Sequence, residues 1–254
     1  MLEDASVKGM LAASALIAHG RGEAFDYLLG EITTTTALVA TREAAARLSE
    51  GVRSVISING NVAALAADDL IRCSALLDCP LEINIFYRTK ERMSALMEHM
   101  SERRAAVAES PAPTGWTGNG EKTWAEVVSA VRILGDEPNA TIPSLEGPRA
   151  KCHHEGILDS DVILVPLEDG DRCEALVAMG KDVLVVDLNP LSRSARMGSV
   201  TIVDELTRFC ANLLTTLLEG APAVNRGWDN CANLKSSLDE INLNINRAGS
   251  NPES

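Results

Sequence analysis

The sequence predicts an α/β fold, a Rossmann-like and mostly parallel sheet flanked by helices, with helical N- and C-terminal segments. Three observations carry this reading. Short, β-branched apolar runs recur along the chain, as expected of strands covered on both faces. Each run is followed by a segment with 3.6-residue apolar spacing, the alternation that builds βαβ units. The runs are also closed by turn signals such as Asn59-Gly60 and Asn189-Pro190. At 254 residues the chain is expected to form a single α/β domain, 1–254, with 101–122 as a flexible insertion and 246–254 as a disordered tail.

The elements follow in order. Residues 4–18 read as an Ala-rich helix, and HGRGEAFDYLLG as a turn into a second helix. RSVISING (53–60) reads as a strand, and NVAALAADDLIRCSALLD as a helix through Leu65, Leu70, Ile71 and Leu76. LEINIF (81–86) is a second strand by alternation and β-branching, and TKERMSALMEHM a helix. From 101 to 122 the chain is rich in Ala, Pro, Gly and Ser and reads as an exposed loop. TWAEVVSAVRILG resumes a helix with Thr123 as N-cap. DVILVPL (161–167) and DVLVVDL (182–188) are the remaining strands, and TIVDELTRFCANLLTTLLEG reads as one long amphipathic helix. The stretch after Ala223 is expected to be helical to about Ile245 and then to fray.

Composition narrows the function. With 23 basic and 36 acidic residues the net charge is −13, which argues against a nucleic-acid binder, since no basic face could neutralise a phosphate backbone. No 18-residue apolar run is present, and MLEDASVKGM lacks a signal-peptide layout, so a cytoplasmic protein without membrane contact is expected. Aromatic residues make up 3%, so the core must be built of Ala, Val, Leu and Ile. The six cysteines show no CxxC spacing, and Cys152 with His153 and His154 does not have a zinc spacing.

Four loops hold candidate chemistry. After the VLVV run, Ser192, Arg193, Ser194 and Arg196 offer hydroxyls and forked guanidiniums that suit phosphate, at the carboxyl end of a strand where open α/β sheets bind ligands. The alternative is a solvated turn with surface arginines. In HGRGE, glycines flank Arg21 and a helix follows, so an anion could meet both the guanidinium and helix N–H groups, unless this is merely a helix–helix turn. Asn59-Gly60-Asn61 lies at a βα junction. In PLEDGDR, Glu168, Asp169 and Asp171 could hold hydrated Mg²⁺ or an amine, or could equally form the acidic first turn of a helix. No GxGxxG, Walker A lysine or Ser-His-Asp arrangement occurs, which disfavours an NAD(P)-dependent oxidoreductase.

Five blocks in order, LIAHGRGEAFDYLLGE, SINGNVAAL, LEINIFYRT, DVILVPLEDGDR-EAL and DLNPLSRSAR, resemble the archaeal phosphopantothenate synthetase (4-phosphopantoate–β-alanine ligase) family. The resemblance implies a homodimer that uses ATP and Mg²⁺ to join 4-phosphopantoate to β-alanine through an acyl-adenylate. It also implies release of AMP and pyrophosphate on the way to coenzyme A. It places nucleotide contacts at Arg21, Asp187, Leu188, Asn189, Arg193, Ser194, Glu205 and Leu206, the last two where the family often has Asn and a branched aliphatic residue. Family members also carry an earlier SHPR segment and a further nucleotide-contacting Arg. This chain begins after both, which is read either as a late start or as an incomplete nucleotide site. Residue chemistry adds Arg21, Arg193 and Lys151 as the catalytic cations. His19, Asn59, Asn61 and Lys151 are assigned to substrate. The Mg²⁺ ligands are left unassigned. A competing reading is a nucleotide-binding regulatory protein without ligase activity.

Overall fold

The structure is a computed structural model and describes residues 1–118, 120–167 and 169–249. The chain opens with three helices, α1 (Leu2–Val7), α2 (Ala13–Leu29) and α3 (Thr35–Glu50). Strand β1 (Ser54–Ile58) then leads into α4 (Gly60–Leu77), and β2 (Leu81–Ile83) into α5 (Lys90–Glu109). The short α6 (Trp124–Ser129) precedes β3 (Ile133–Leu134). A small antiparallel pair, β4 (Ala140–Thr141) with β5 (Lys151–Cys152), comes next. Alternation resumes with β6 (Val162–Pro166), α7 (Gly170–Ala178), β7 (Asp182–Val186), α8 (Arg193–Met197), β8 (Val200–Ile202) and α9 (Leu206–Glu219). The last element is α10 (Asn230–Gly249).

Six strands form one parallel sheet in the order β3-β2-β1-β6-β7-β8. Renumbered within the sheet this is 3-2-1-4-5-6, the doubly wound order, whose direction reverses between β1 and β6. Ile56 pairs with Leu81 on one side and Leu164 on the other. Alternate strand residues serve the two faces. Ile56, Ile58, Leu164, Leu184 and Val186 pack with Leu70, Ile71 and Phe209 of α4 and α9. Val55, Ile163, Val165, Val183 and Val185 pack with Cys173 and Leu176 of α7. Both faces are therefore covered, which is why the strands read as unbroken apolar runs.

Several expected boundaries are corrected. The first break falls at Gly9, which adopts φ +73°, and α2 runs unbroken through His19, Gly20, Arg21 and Gly22. A helix tolerates an interior glycine at a cost of about 1 kcal/mol, so glycine spacing alone does not end one. Residues 101–109 complete α5: Val107 is buried, and Arg103 ion-pairs with Asp68 on α4. Beyond them, Trp116 meets Trp124 edge-on at 5.5 Å. Thr123 caps α6 in a capping box with Glu126, as expected, but that helix stops at Ser129 and Ile133–Leu134 joins the sheet. The single helix expected over 201–220 is divided into β8 and α9. The C-terminal helix begins only at Asn230 and runs past Ile245, and residues 250–254 lie outside the described residues. Among the described residues, no helix is long and apolar enough to cross a membrane.

Candidate active site

The carboxyl ends of β1 and β6 open into a cavity of about 660 Å³, at the switch point where such sheets bind ligands. The β1–α4 turn forms its floor. Asn59 caps α4 by accepting from Val62 N at 3.1 Å, and its Nδ2 donates to the carbonyls of Pro166 (3.2 Å) and Leu167 (3.0 Å). Its amide thus ties the two halves of the sheet together at the switch point. Asn61 is buried; its Nδ2 donates to Ala15 O at 3.2 Å, and its Oδ1 has no partner among the described residues. Gly60 is required by a close approach, since a Cβ there would lie 2.7 Å from Met10 O.

Five guanidiniums line the cavity, from Arg21, Arg92, Arg149, Arg172 and Arg193. Against them stand Glu146, Asp169 and Asp171 among the described residues, a positive balance in a strongly acidic chain. Arg172 is buried and donates to Ser57 Oγ at 3.1 Å; burial pushes its pKa down. Arg149 sits under the β5 strand and pairs with Asp169 at 3.1 Å. Burial, followed by the neighbouring Arg172 charge, lowers its pKa. The main chain around it is fixed by Asn84, whose Nδ2 donates to Arg149 O (3.3 Å) and Lys151 O (3.0 Å). Arg193 opens α8 and pairs with Asp171 and Glu174, which raise its pKa. Arg21 reaches the cavity from the middle of α2 together with Ala15 and Ala18 on the same helical face.

The expected site residues divide. Arg21, Arg193, Asn59 and Asn61 come together at the cavity. Helix N–H groups do not accompany Arg21, because it lies inside α2 rather than at a terminus. His19 and Lys151 are not brought to the cavity; Lys151 is exposed on the two-residue strand β5. The cation that the PRAK stretch does contribute is Arg149, held by the 3₁₀ turn Pro148–Ala150. Sequence reasoning also missed Arg172, although it lies inside the fourth block, and Arg92, three residues beyond the third.

The remaining expected contacts lie along the same carboxyl edge, outside the cavity wall. Asp187 accepts from Ser192 Oγ (2.5 Å) and Asn189 N (2.9 Å), while Asn189 Oδ1 accepts from Leu191 N (2.9 Å). Burial raises the Asp187 pKa against those hydrogen bonds. Leu188 is buried with Leu29 of α2 and Leu234 of α10, and faces Gly22 of α2. Ser192 caps α8, and Ser194 is buried behind it. Glu205 caps α9 by accepting from Thr207 N (2.8 Å) and Arg208 N (3.1 Å), and Leu206 is a core residue. At the β6–α7 turn, Asp169 is the N-cap and Asp171 stands in the first turn of α7, so the helix-start reading describes these two. Glu168 lies outside the described residues. Among the described residues, no group of three or more His, Cys, Asp or Glu side chains could hold a metal ion.

A doubly wound sheet with an arginine-lined crevice at its switch point defines an α/β protein built to take anionic ligands there. Comparison with known proteins is more specific. The phosphopantothenate/pantothenate synthetase family model matches residues 36–114 and 121–244. Proteins named 4-phosphopantoate–β-alanine ligase are similar over most of the chain. That of Thermococcus kodakarensis is 48% identical over 201 residues, 79% of this chain and 68% of its own. That of Thermococcus onnurineus is 46% identical over the same shares, and that of Methanosarcina mazei 41% identical over 205 residues, 81% of this chain and 71% of its own. The chain belongs to the phosphopantothenate/pantothenate synthetase family. The model match begins at residue 36, after α2, so Arg21 is placed at the site by its position on the cavity wall.

Proposed function

We propose that this protein joins 4-phosphopantoate to β-alanine with ATP, giving 4′-phosphopantothenate, AMP and pyrophosphate for coenzyme A synthesis. The observation that carries the reading is the arginine-lined cavity at the switch point of a chain in this family. A free carboxylate resists attack by an amine because oxide is a poor leaving group. Transfer of the adenylyl group to the pantoate carboxylate expels pyrophosphate and makes a mixed anhydride. The neutral amine of β-alanine then attacks the acyl carbon, AMP leaves, and the amine gives up its proton.

Neither step needs a protein nucleophile. Both need positive charge held where phosphate oxygens gain charge, which the cavity guanidiniums supply. Arg193 and Arg21 are assigned to the nucleotide phosphates, with the Asp187–Asn189 loop on the nucleoside side. Arg193 would exchange the carboxylates of Asp171 and Glu174 for phosphate. Asn59 acts here by holding the β1 and β6 ends in register. The described residues do not form a Mg²⁺ cage, and Mg²⁺ keeps several waters and commonly enters on substrate phosphates. We assign it that route and no protein ligand. A homodimer is the proposed assembly; the exposed apolar Leu16, Ile17 and Tyr27 of α2 offer a surface for it.

The test is AMP formation with ATP, Mg²⁺, 4-phosphopantoate and β-alanine. AMP release that depends on both organic substrates is expected. ATP binding with no turnover would replace this reading with the regulatory one, and ADP as product would replace the adenylate by an acyl phosphate.

A further inference from the structure

We propose that Arg92 binds the phosphate ester of the acyl substrate, in the half of the cavity between the ends of β1 and β2. This rests on the ligase reading above and assigns a substrate-recognition role to a residue that reading leaves unused. Arg92 stands in the first turn of α5, where Thr89 caps the helix by accepting from Arg92 N at 3.2 Å. Its guanidinium is held by two backbone carbonyls, Tyr87 O at 2.5 Å and Met10 O at 3.0 Å. Its Nε is buried with no hydrogen-bond partner among the described residues.

The difference from Arg149 and Arg193 is one of charge. Arg149 has Asp169, and Arg193 has Asp171 and Glu174. No carboxylate pairs with Arg92 among the described residues, in a chain where acids outnumber bases 36 to 23. Burial lowers its pKa and no acidic neighbour offsets that. A partly buried cation held only by neutral carbonyls lacks a counter-charge, and a phosphate dianion supplies one with a geometry that fits the guanidinium fork.

The neighbours fit the rest of the molecule. Asn61, 8% exposed, presents an unpartnered Oδ1 one residue from Gly60, and Gly60 lies close to both Met10 O and the Arg92 guanidinium. That oxygen can accept from a hydroxyl. Ile85 and Phe86 supply an apolar wall, which suits the quaternary carbon of pantoate. Position completes the argument. Arg193 approaches from the β6–β7 side, where the nucleotide is assigned, and Arg92 approaches from the β2 side of the same cavity. An acyl substrate lying between them would point its carboxylate at the nucleotide and its phosphate at Arg92.

The anion bound could be the phosphate ester or the carboxylate of β-alanine, and kinetics separate them. In Arg92→Gln, KM for 4-phosphopantoate should rise by about a hundredfold, the scale of losing one partner of a desolvated charge pair. KM for β-alanine and for ATP should hold. The preference for 4-phosphopantoate over unphosphorylated pantoate, as a ratio of kcat/KM, should collapse toward one, and Arg92→Lys should restore part of it. A rise confined to β-alanine would give Arg92 to the other substrate, and a fall in kcat with the preference intact would make it structural; either overturns the proposal. Calorimetric titration of 4-phosphopantoate without ATP is independent of turnover. If the wild type shows no ligase activity the functional reading fails, while equal affinity of wild type and Arg92→Gln is what would sink this one. Should Arg92→Gln prove unfolded by circular dichroism, Arg92→Lys carries the same comparisons.

Discussion

Gly170→Ala should cripple turnover far more than it lowers stability. A Cβ at Gly170 would fall 2.6 Å from Cγ, 2.7 Å from Cβ and 2.8 Å from Cδ of Arg193, where ordinary contact begins at 3.4 Å. The shortfall is 3.4 − 2.6 = 0.8 Å, and it falls on the base of the side chain rather than its tip, so the whole guanidinium must relocate. Misplacing a reacting or clamping group by about 1 Å can cost on the order of 10²-fold in rate. Some stability should be lost as well, because Arg193 Cβ is fixed by its backbone and the α7–α8 contact must open, although alanine at this ordinary φ is the better helix former by up to about 1 kcal/mol and offsets part of the loss. Steady-state AMP formation and thermal unfolding read the two effects separately. The coupling is read by a double-mutant cycle: Gly170→Ala in an Arg193→Ala background should add almost nothing, since both act through one guanidinium. Additive losses, or wild-type kcat/KM in Gly170→Ala, would refute the assignment of Arg193 to the phosphates.

Two more outcomes follow from the same geometry. Lys151→Ala should leave kinetics close to wild type, because that side chain is exposed on β5 away from the cavity, whereas Arg149→Ala should lower kcat/KM by on the order of 10²-fold; equal effects in steady-state assays would return the role to Lys151. Glu82→Gln should change how stability depends on pH. Glu82 is fully buried on β2 and accepts from His153 N (2.9 Å) and Ile157 N (2.7 Å), yet burial outweighs those bonds and raises its pKa. The folded state then holds the proton more tightly than the unfolded state. Wild-type stability should therefore fall as pH rises from the ordinary carboxylate range through the raised value, and Glu82→Gln should lack that slope. Urea titrations across that window give the answer, and parallel curves for the two proteins would overturn it.

How much of this was legible in the sequence depends on how each feature is encoded. The five-residue strands β1, β6 and β7 were, because burial on both faces leaves unbroken β-branched runs, and β2 was by alternation, although it ends at Ile83 rather than at Phe86. Strand β8 was not: its three residues precede an amphipathic helix and share its apolar pattern, and only pairing with β7 separates them. Two-residue β3 carries too little pattern to stand out from the end of α6. Gly20 and Gly22 read as punctuation, but both lie inside a continuous helix, where a Cβ would meet open space at Gly20 and ordinary contact with Leu188 at Gly22.

The site followed a different rule. Arg193 was legible because a cation directly after a buried strand sits at the ligand-binding edge whatever the details of the loop. Lys151 was chosen over Arg149 because a 3₁₀ turn two residues earlier decides which of them faces inward, and that turn is set by tertiary contacts to Asn84. Arg92 could not be found from residue type at all. In a chain with 36 carboxylates to 23 basic groups, an arginine's chemistry is fixed by whether an acid reaches it. That is a property of the folded pairing. Among the cavity arginines it singles out Arg21 and Arg92, which no described carboxylate pairs with. Two anionic groups, one on each substrate, would give both a counter-charge.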